Sequence, residues 1–549
     1  MKKKMIALVL CALILLSGCQ TTEENSNPGS DTAAAERLET GIDTESLFSE
    51  RDLSGDYDES TAVSIELEGE TISCDSDTIS IDGTSITLLD EGTYFISGTL
   101  DDGQILVNAD DTDKVQIVLS GVDITSKNSA AIYSLNADKV FVTLAEGTEN
   151  TLTNGGAYVA VDENQIDAVI FSKTDLTLNG SGSLSVNAQA GHGVVSKDEL
   201  TVTGGSYSVT AAEHGLVGKD SLAVAGGTFQ ITSGKDGLHA ENTEDTTKGF
   251  LYLKDGTYTI NAQGDAISAS GDLQVDGGVF DLTTGEGSAS VTMPVEENFT
   301  HGGQSEVSGS RPQKERPDSG EEPPRQSEQL SEQENSETGE TIDSVSQKGM
   351  KADGMLSVNG GAFTMDCSDD CIHSAGMLTV ISGEFTLSSG DDALHSDDTV
   401  TIQNGTFSIP YCYEGIEGLS VTVNGGNFDI TAHDDGFNAA GGTDNSGFGG
   451  RGEQFAADEN SFIIINGGDI VITSEGDCMD SNGDLSLNGG TLDLTCNGGG
   501  NTTLDCNGTY TNNGGSVTTN DNAEANPGGM GGGRPMNGKK QKPEEKPAA

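Results

Sequence analysis

The stretch LTVTGGSYSV, residues 200–209, decides the fold, because close copies of it return along most of the chain. LAVAGGTFQI (222–231), LQVDGGVFDL (273–282), LSVNGGAFTM (356–365), VTVNGGNFDI (421–430) and LSLNGGTLDL (485–494) keep its order of apolar, Gly-Gly and aromatic or aliphatic positions. The aromatic position falls at Tyr207, Phe229, Tyr258, Phe280, Phe363, Phe385, Phe407 and Phe428, so most steps are 21 or 22 residues and a few carry insertions. Alternation of apolar and polar residues is a strand signal, and a unit this short cannot bury its own apolar face, so the units must stack. Each unit holds several strands separated by Gly and Asn corners and no helix-length segment, as one coil of a parallel β-helix requires. The Asn-punctuated signature and helical return of leucine-rich repeats are missing. The expected fold is an all-β, single-stranded parallel β-helix, a solenoid with coils of about 22 residues.

Composition fits such a solenoid: Gly fills 75 of 549 positions and Trp none, as in a turn-rich chain with a narrow core. A formal charge of -63 excludes direct binding of nucleic acid or an anionic membrane surface, both polyanions, and makes divalent cations the natural counterions. Lys2, Lys3 and Lys4 precede an apolar run, Ile6 to Leu16, too short to span a bilayer, and Leu16-Ser17-Gly18-Cys19 matches the lipobox of bacterial lipoproteins. Residues 1–18 read as a signal peptide and Cys19 as the lipidated residue that anchors an extracytoplasmic protein to the bacterial cell membrane; a plain secretory signal is the alternative. Residues 19–47 read as a flexible tether, 48–155 as an N-terminal β segment and cap, 156–520 as the β-helix and 521–549 as a low-complexity tail. The insertion 286–347, rich in Glu, Ser, Gln and Pro, reads as disordered, and the Gly-rich 441–460 as a loop. Beyond Cys11 and Cys19, seven cysteines remain, an odd number that argues against a complete disulfide set. Cys371 and Cys478 fall in a small-residue slot and read as buried thiols.

A second phrase, acidic-small-apolar-polar, lies between the Gly-Gly strands: Asp236 to His239, Asp265 to Ser268, Asp370 to His373, Asp392 to His395, Asp435 to Asn438 and Asp477 to Asp480. Equivalent slots of successive coils lie about 4.8 Å apart, so each slot becomes a column. The first slot runs Asp370, Asp392, Glu414, Asp435, Asp477 in the C-terminal half, with Asp369, Asp391 and Asp434 beside it. Like charges at about 4 Å repel by roughly 4 kcal/mol at the effective dielectric of a protein surface. Partial protonation, backbone amides or Ca²⁺ would offset this, and Ca²⁺, with its six to eight oxygen ligands, suits stacked Asp best. The expected metal ligands are Asp369, Asp370, Asp391, Asp392, Glu414, Asp434, Asp435, Asp477 and Asp480. The competing reading is that each Asp merely bonds the corner backbone two residues on. His373 and His395, in adjacent fourth slots, are either a transition-metal pair or corner-packing residues, and His239 shares their slot; His192 and His214 take the first slot of earlier coils. Lys348 and Lys351 take the first and fourth slots beside the Asp370 coil, where a lysine near metal-bound carboxylates could act as a lyase base. No nucleophile elbow, phosphate loop or HExxH is present.

The lipobox, FSERDLSGDYDES (48–60), DTDKVQIVLSGVDITSKNSAAIYS (111–134), LAEGTENTL (144–152) and the DGLHA-like coils together resemble the bacterial carbohydrate-binding domain-containing proteins. The resemblance implies a right-handed parallel β-helix similar to family 9 pectate lyases, with bound calcium and affinity for cellulose and acidic pectic sugars. No Trp is available for the flat platform of a cellulose binder, which leaves Tyr411 and Tyr413, flanking Cys412, as the stacking candidates. The expected function is binding of polysaccharide, cellulose or uronate-containing glycans, without catalysis. A calcium-dependent pectate-type lyase using Lys348, Lys351 or Lys235 is the alternative, and a structural or adhesive envelope protein the third reading. So acidic a chain must meet a uronate polymer through bridging calcium or a local basic spot.

Overall fold

Strand Ser206–Ala211 pairs in parallel with Thr228–Ser233, Ser206 opposite Thr228, and that strand with Thr257–Ala262, then Val279–Thr284, then Ala362–Cys367. The same series continues through Glu384–Ser389, Thr406–Cys412, Asn427–Ala432, Asp469–Ser474 and Thr491–Cys496 to Ser516–Thr519. Each repeat, or rung, therefore bonds to the rung before it and the rung after it, which is how a short unit satisfies its backbone. Phe280 stands opposite Phe363, so the 286–347 insertion enters and leaves the ladder without breaking its register. The fold is all-β and solenoid-like. Among the described residues the antiparallel pairings are Val63–Gly69 with Ile72–Ser73 and Ile79–Asp82 with Ser85–Leu88, both in the N-terminal segment.

The computed structural model describes residues 40–159, 164–293, 346–439, 460–525 and 527. All belong to the second of two units, Leu38–Ala549, the first being Met1–Arg37. Cys19, most of the tether, 294–345 of the insertion, 441–459 of the Gly-rich loop and most of the tail lie outside the described residues. The described start of the insertion is packed: Ser288 donates its amide and hydroxyl to Asp366 Oδ1, both at 2.7 Å, and Met293 is buried.

Inside the solenoid the aromatic positions form one stack. Rings from Tyr207 through Phe428 lie nearly parallel on their neighbours, with centroids 4.6 Å apart at Phe385–Phe407 and 5.3 Å at Tyr207–Phe229. This stack explains the Gly-Gly corner. Gly361 has a φ of 123°, in the left-handed region, and a Cβ there would come within 3.0 Å of the Phe363 ring folded beneath it. The seven described cysteines are all free thiols, and Cys371 and Cys478 are buried at the small-residue slot.

Residues 40–58, which join the expected tether to the expected N-terminal segment, lie along the outside of the solenoid. The Gly41 amide donates to Asp272 Oδ2 at 2.8 Å, and Phe48 packs on Tyr252. Ser49 caps the short helix Glu50–Leu53 through a capping box with Asp52. Asp52 is buried, takes Lys139 Nζ at 2.8 Å and Thr177 Oγ1 at 2.6 Å, and is thereby held below the usual carboxylate range although burial opposes this.

Candidate functional site

First-slot residues are joined from rung to rung through the backbone. His192 Nδ1 accepts the His214 amide at 3.2 Å and His214 Nδ1 the Asp236 amide at 3.1 Å. Asp236 Oδ1 accepts the Asp265 amide at 2.9 Å, and Asp265 Oδ1 the Lys348 amide at 2.8 Å. A lysine offers no acceptor, so Asp369 Oδ1 serves the Asp370 amide at 2.9 Å. The series then resumes: Asp370 Oδ1 to the Asp392 amide at 3.0 Å, Asp392 Oδ1 to the Glu414 amide at 3.2 Å, Asp435 Oδ1 to the Asp477 amide at 2.6 Å, and Asp477 Oδ1 to the Thr502 amide. A buried amide needs an acceptor, and Asp and neutral His both supply one. Apart from the Lys348 and Glu414 rungs, the column is thus a chain of amide caps reaching the next rung, not the backbone two residues on. Burial and the neighbouring His214 push His192 down to about 4, which keeps its acceptor nitrogen unprotonated.

The second carboxylate oxygen turns toward the fourth slot, and there the ladder changes character along its length. Asp236 Oδ2 lies 2.7 Å from His239 Nδ1, and Asp370 Oδ2 lies 2.9 Å from His373 Nδ1 and 2.6 Å from Lys348 Nζ. His395 Nδ1 stands 2.9 Å from both Asp392 Oδ2 and Glu417 Oε2. Burial would raise Asp370, yet Lys348, His373 and His395 hold it well below the usual carboxylate range. Burial opposes protonation of His395, but Asp392 and Glu417 push it up to about 12. Asp369, Asp370 and Asp391 do bring carboxylate oxygens within 4.8 Å of one another, but Lys348 Nζ already stands 2.9 Å from Asp369. In this part of the ladder the protein supplies its own cations.

Beyond Glu417, whose Oε2 meets His395, the fourth slots of the described rungs hold no Lys, Arg or His. Successive fourth slots read Glu417, Asn438, Asp480 and Asp505, paired in register. Oxygens of Asp477, Asp480 and Asp505 lie within 4.8 Å of one another, and none of the three meets a Lys, Arg or His among the described residues. Burial, then Asp480 and Asp505, raise Asp477 to about 7 against the Thr502 amide; burial, then Asp505 and Asp434, raise Asp480 to about 6. Burial drives Asp435 and Glu414 well above their usual range, with Asp434 and Asp392 the leading charged neighbours respectively. Glu414 Oε2 accepts Asn438 Nδ2 at 2.8 Å, which leaves Asn438 Oδ1 buried and without a hydrogen-bond partner among the described residues.

The two tyrosines part company. A bulge in Thr406–Cys412 sets Tyr411 opposite Ser388 on the outward sheet face, 6.5 Å from the His433 ring. Tyr413 instead joins the doubled-acid column, its amide on Asp391 O at 2.7 Å and its carbonyl accepting Asp434 at 2.9 Å. Among the candidate lysines, Lys351 Nζ lies 3.4 Å from Asp353 and Lys235 Nζ 3.0 Å from Glu213. Burial opposes charge on Lys348, but Asp370 and Asp369 raise it above an ordinary lysine, the opposite of what a base at neutral pH requires. Two acids of the cluster escaped the sequence reading. Glu417 stands three residues after Glu414, a spacing that could have found it, whereas Asp505 sits in Leu504-Asp505-Cys506, which lacks the phrase.

A profile of the carbohydrate-binding domain-containing proteins matches residues 82–393 and 391–534. The chain belongs to that family. A carbohydrate-binding domain-containing protein of Acetivibrio thermocellus is 37% identical over 150 residues, 27% of this chain and 52% of that protein, so the match spans about half the relative's length. A solved structure of the polysaccharide lyase-like protein from C. thermocellum, a gadolinium derivative, aligns at 35% identity and a TM-score of 0.40, covering 41% of this chain and 92% of its own. In this member of the carbohydrate-binding domain-containing family, the Lys348 and Asp370 rungs fall in the first matched segment, and His395 with the rungs from Glu414 onward in the second.

Proposed function

We propose that this chain is a non-catalytic polysaccharide-binding protein, held outside the bacterial cell membrane through lipidated Cys19. It is built on a right-handed parallel β-helix with coils of about 22 residues and an N-terminal cap, and Ca²⁺ stabilises it. The observation that carries the reading is the family match across residues 82–393 and 391–534. Strands such as Ser206–Ala211, Thr228–Ser233 and Asn427–Ala432 turn alternate polar residues outward, giving a flat hydroxyl- and amide-rich face. Tyr411 stands in that face as the ring on which a sugar stacks. Asp434, Asp435, Asp477 and Asp480, with Asn438 and Asp505, offer the clustered oxygens that Ca²⁺ prefers. Asp369, Asp370 and Asp392 leave the proposed ligand set because Lys348 and His395 meet their carboxylates, and Asp391 leaves with the Asp392 rung. The buried, paired amine of Lys348 supports the non-catalytic reading.

A glycan array run with calcium and again with chelator tests this. The expected result is retention of cellulose-type or uronate-containing glycans with calcium; an array blank in both conditions would remove the assignment.

A further inference from the structure

We propose that a divalent cation governs the order of the C-terminal rungs alone, from Glu414 to the end of the ladder, while the rungs up to His395 stay folded without it. The inference rests on the calcium reading above and concerns how that site acts on the fold.

The contrast between the two parts is chemical. Up to His395, the free oxygens of Asp236, Asp370 and Asp392 each lie within 3 Å of a His or Lys nitrogen. Beyond Glu417, itself 2.9 Å from His395 Nδ1, the same slot holds Asn438, Asp480 and Asp505, and no Lys, Arg or His. Like charges directly opposite on neighbouring strands are destabilising. Asn438 points independently to a cation. It is only 7% exposed, its Nδ2 is committed to Glu414, and its Oδ1 is a buried acceptor with no donor among the described residues. In register it stands between Glu417 and Asp480, two carboxylates that offer acceptors and no donor. A cation satisfies Asn438 Oδ1 and the carboxylates at once, whereas a donor side chain would satisfy one of them.

Confinement follows from the architecture. A solenoid is quasi-one-dimensional, each rung contacting only its neighbours, so the loss of one interface frays the nearer end rather than loosening the whole. The rungs of Asp477, Asp480 and Asp505, which meet no Lys, Arg or His among the described residues, are the C-terminal ones. Withdrawal of the cation should therefore release strands from Ile416–Val423 to Ser516–Thr519, and the ion-paired rungs around Lys348 and His395 should stop the fraying.

Hydrogen exchange read by mass spectrometry on the full chain, calcium-loaded and then treated with EDTA, tests this. Amides of 416–439 and 460–519 should exchange at least tenfold faster in EDTA, while those of 92–400 should change less than twofold. The variant Asp477→Asn/Asp480→Asn/Asp505→Asn, relieved of its repulsion, should keep its C-terminal protection in EDTA. Equal loss along the whole solenoid, or protection unchanged by EDTA in a protein that binds Ca²⁺, would overturn the proposal. Equilibrium dialysis with ⁴⁵Ca²⁺ separates the failures: a protein that takes up no calcium refutes the calcium reading, whereas uptake with uniform loss refutes only the confinement.

Discussion

The Asp392 amide donates to Asp370 Oδ1 at 3.0 Å, and Asp370 Oδ2 holds Lys348 Nζ at 2.6 Å. One carboxylate thus caps the next rung and neutralises a buried amine. Asp370→Ala removes both at once and should cost about 3–5 kcal/mol, the range for breaking a buried pair. Asp123→Ala, at an exposed position outside the columns, should stay within about 0.5 kcal/mol of wild type in urea unfolding.

Calcium should raise the melting temperature, since metal bound only to the native state contributes about 2.7 kcal/mol at a hundredfold excess over Kd. Asp477→Asn/Asp480→Asn should blunt that rise. Asp391→Asn/Asp392→Asn should lower the melting temperature yet leave the calcium increment, because Lys348 and His395 already serve those rungs. Loss of the increment in the second pair alone would place calcium in the wrong half of the ladder.

The period, the strand order and the aromatic stack were legible because each repeats: a glycine two residues before the aromatic residue recurs wherever a ring must lie beneath a left-handed glycine. The columns of acids were legible for the same reason. Their use was not, since the bond from Asp370 to the Asp392 amide joins residues a full rung apart and leaves no local mark. Lys348 looked like a candidate base because its sequence neighbours do not reveal the two carboxylates that enclose it. Nor does the run from Thr40 to Asp58 carry a period, because it crosses the rungs instead of forming one.

Acid should weaken the His192 corner. Its folded pKa of about 4 lies below the ordinary value of about 6.5, so the folded state favours neutral imidazole. That contribution is complete above about pH 6.5 and is lost as pH falls toward 4, on the order of 2 kcal/mol. Glu213, 3.4 Å from Nε2, opposes the shift without reversing it. His192→Asn keeps an acceptor for the His214 amide but cannot titrate, so its stability should fall less between pH 7 and pH 4.5 in denaturant titrations.

Asp52→Ala should free the outer segment without unfolding the solenoid. It strands Lys139, whose side chain is only 14% exposed, and removes the acceptor of Thr177. Limited proteolysis should then cut within residues 40–58 while the rungs stay intact, a local opening rather than a global one. Wild-type resistance at that segment would show that the Asp52 cluster does not hold it.

Equilibrium binding of polygalacturonate and of cellulose with millimolar calcium, repeated in EDTA and followed by ultraviolet absorbance for unsaturated ends, tests the central claim most directly. A chain at -63 attracts a polyanion where divalent cations reverse the local sign. The account predicts retention of polysaccharide, loss of polygalacturonate binding in EDTA, and a polymer left intact. Sustained growth of the unsaturated-end signal, abolished by Lys351→Ala or Lys348→Ala, would contradict it and make the protein a lyase.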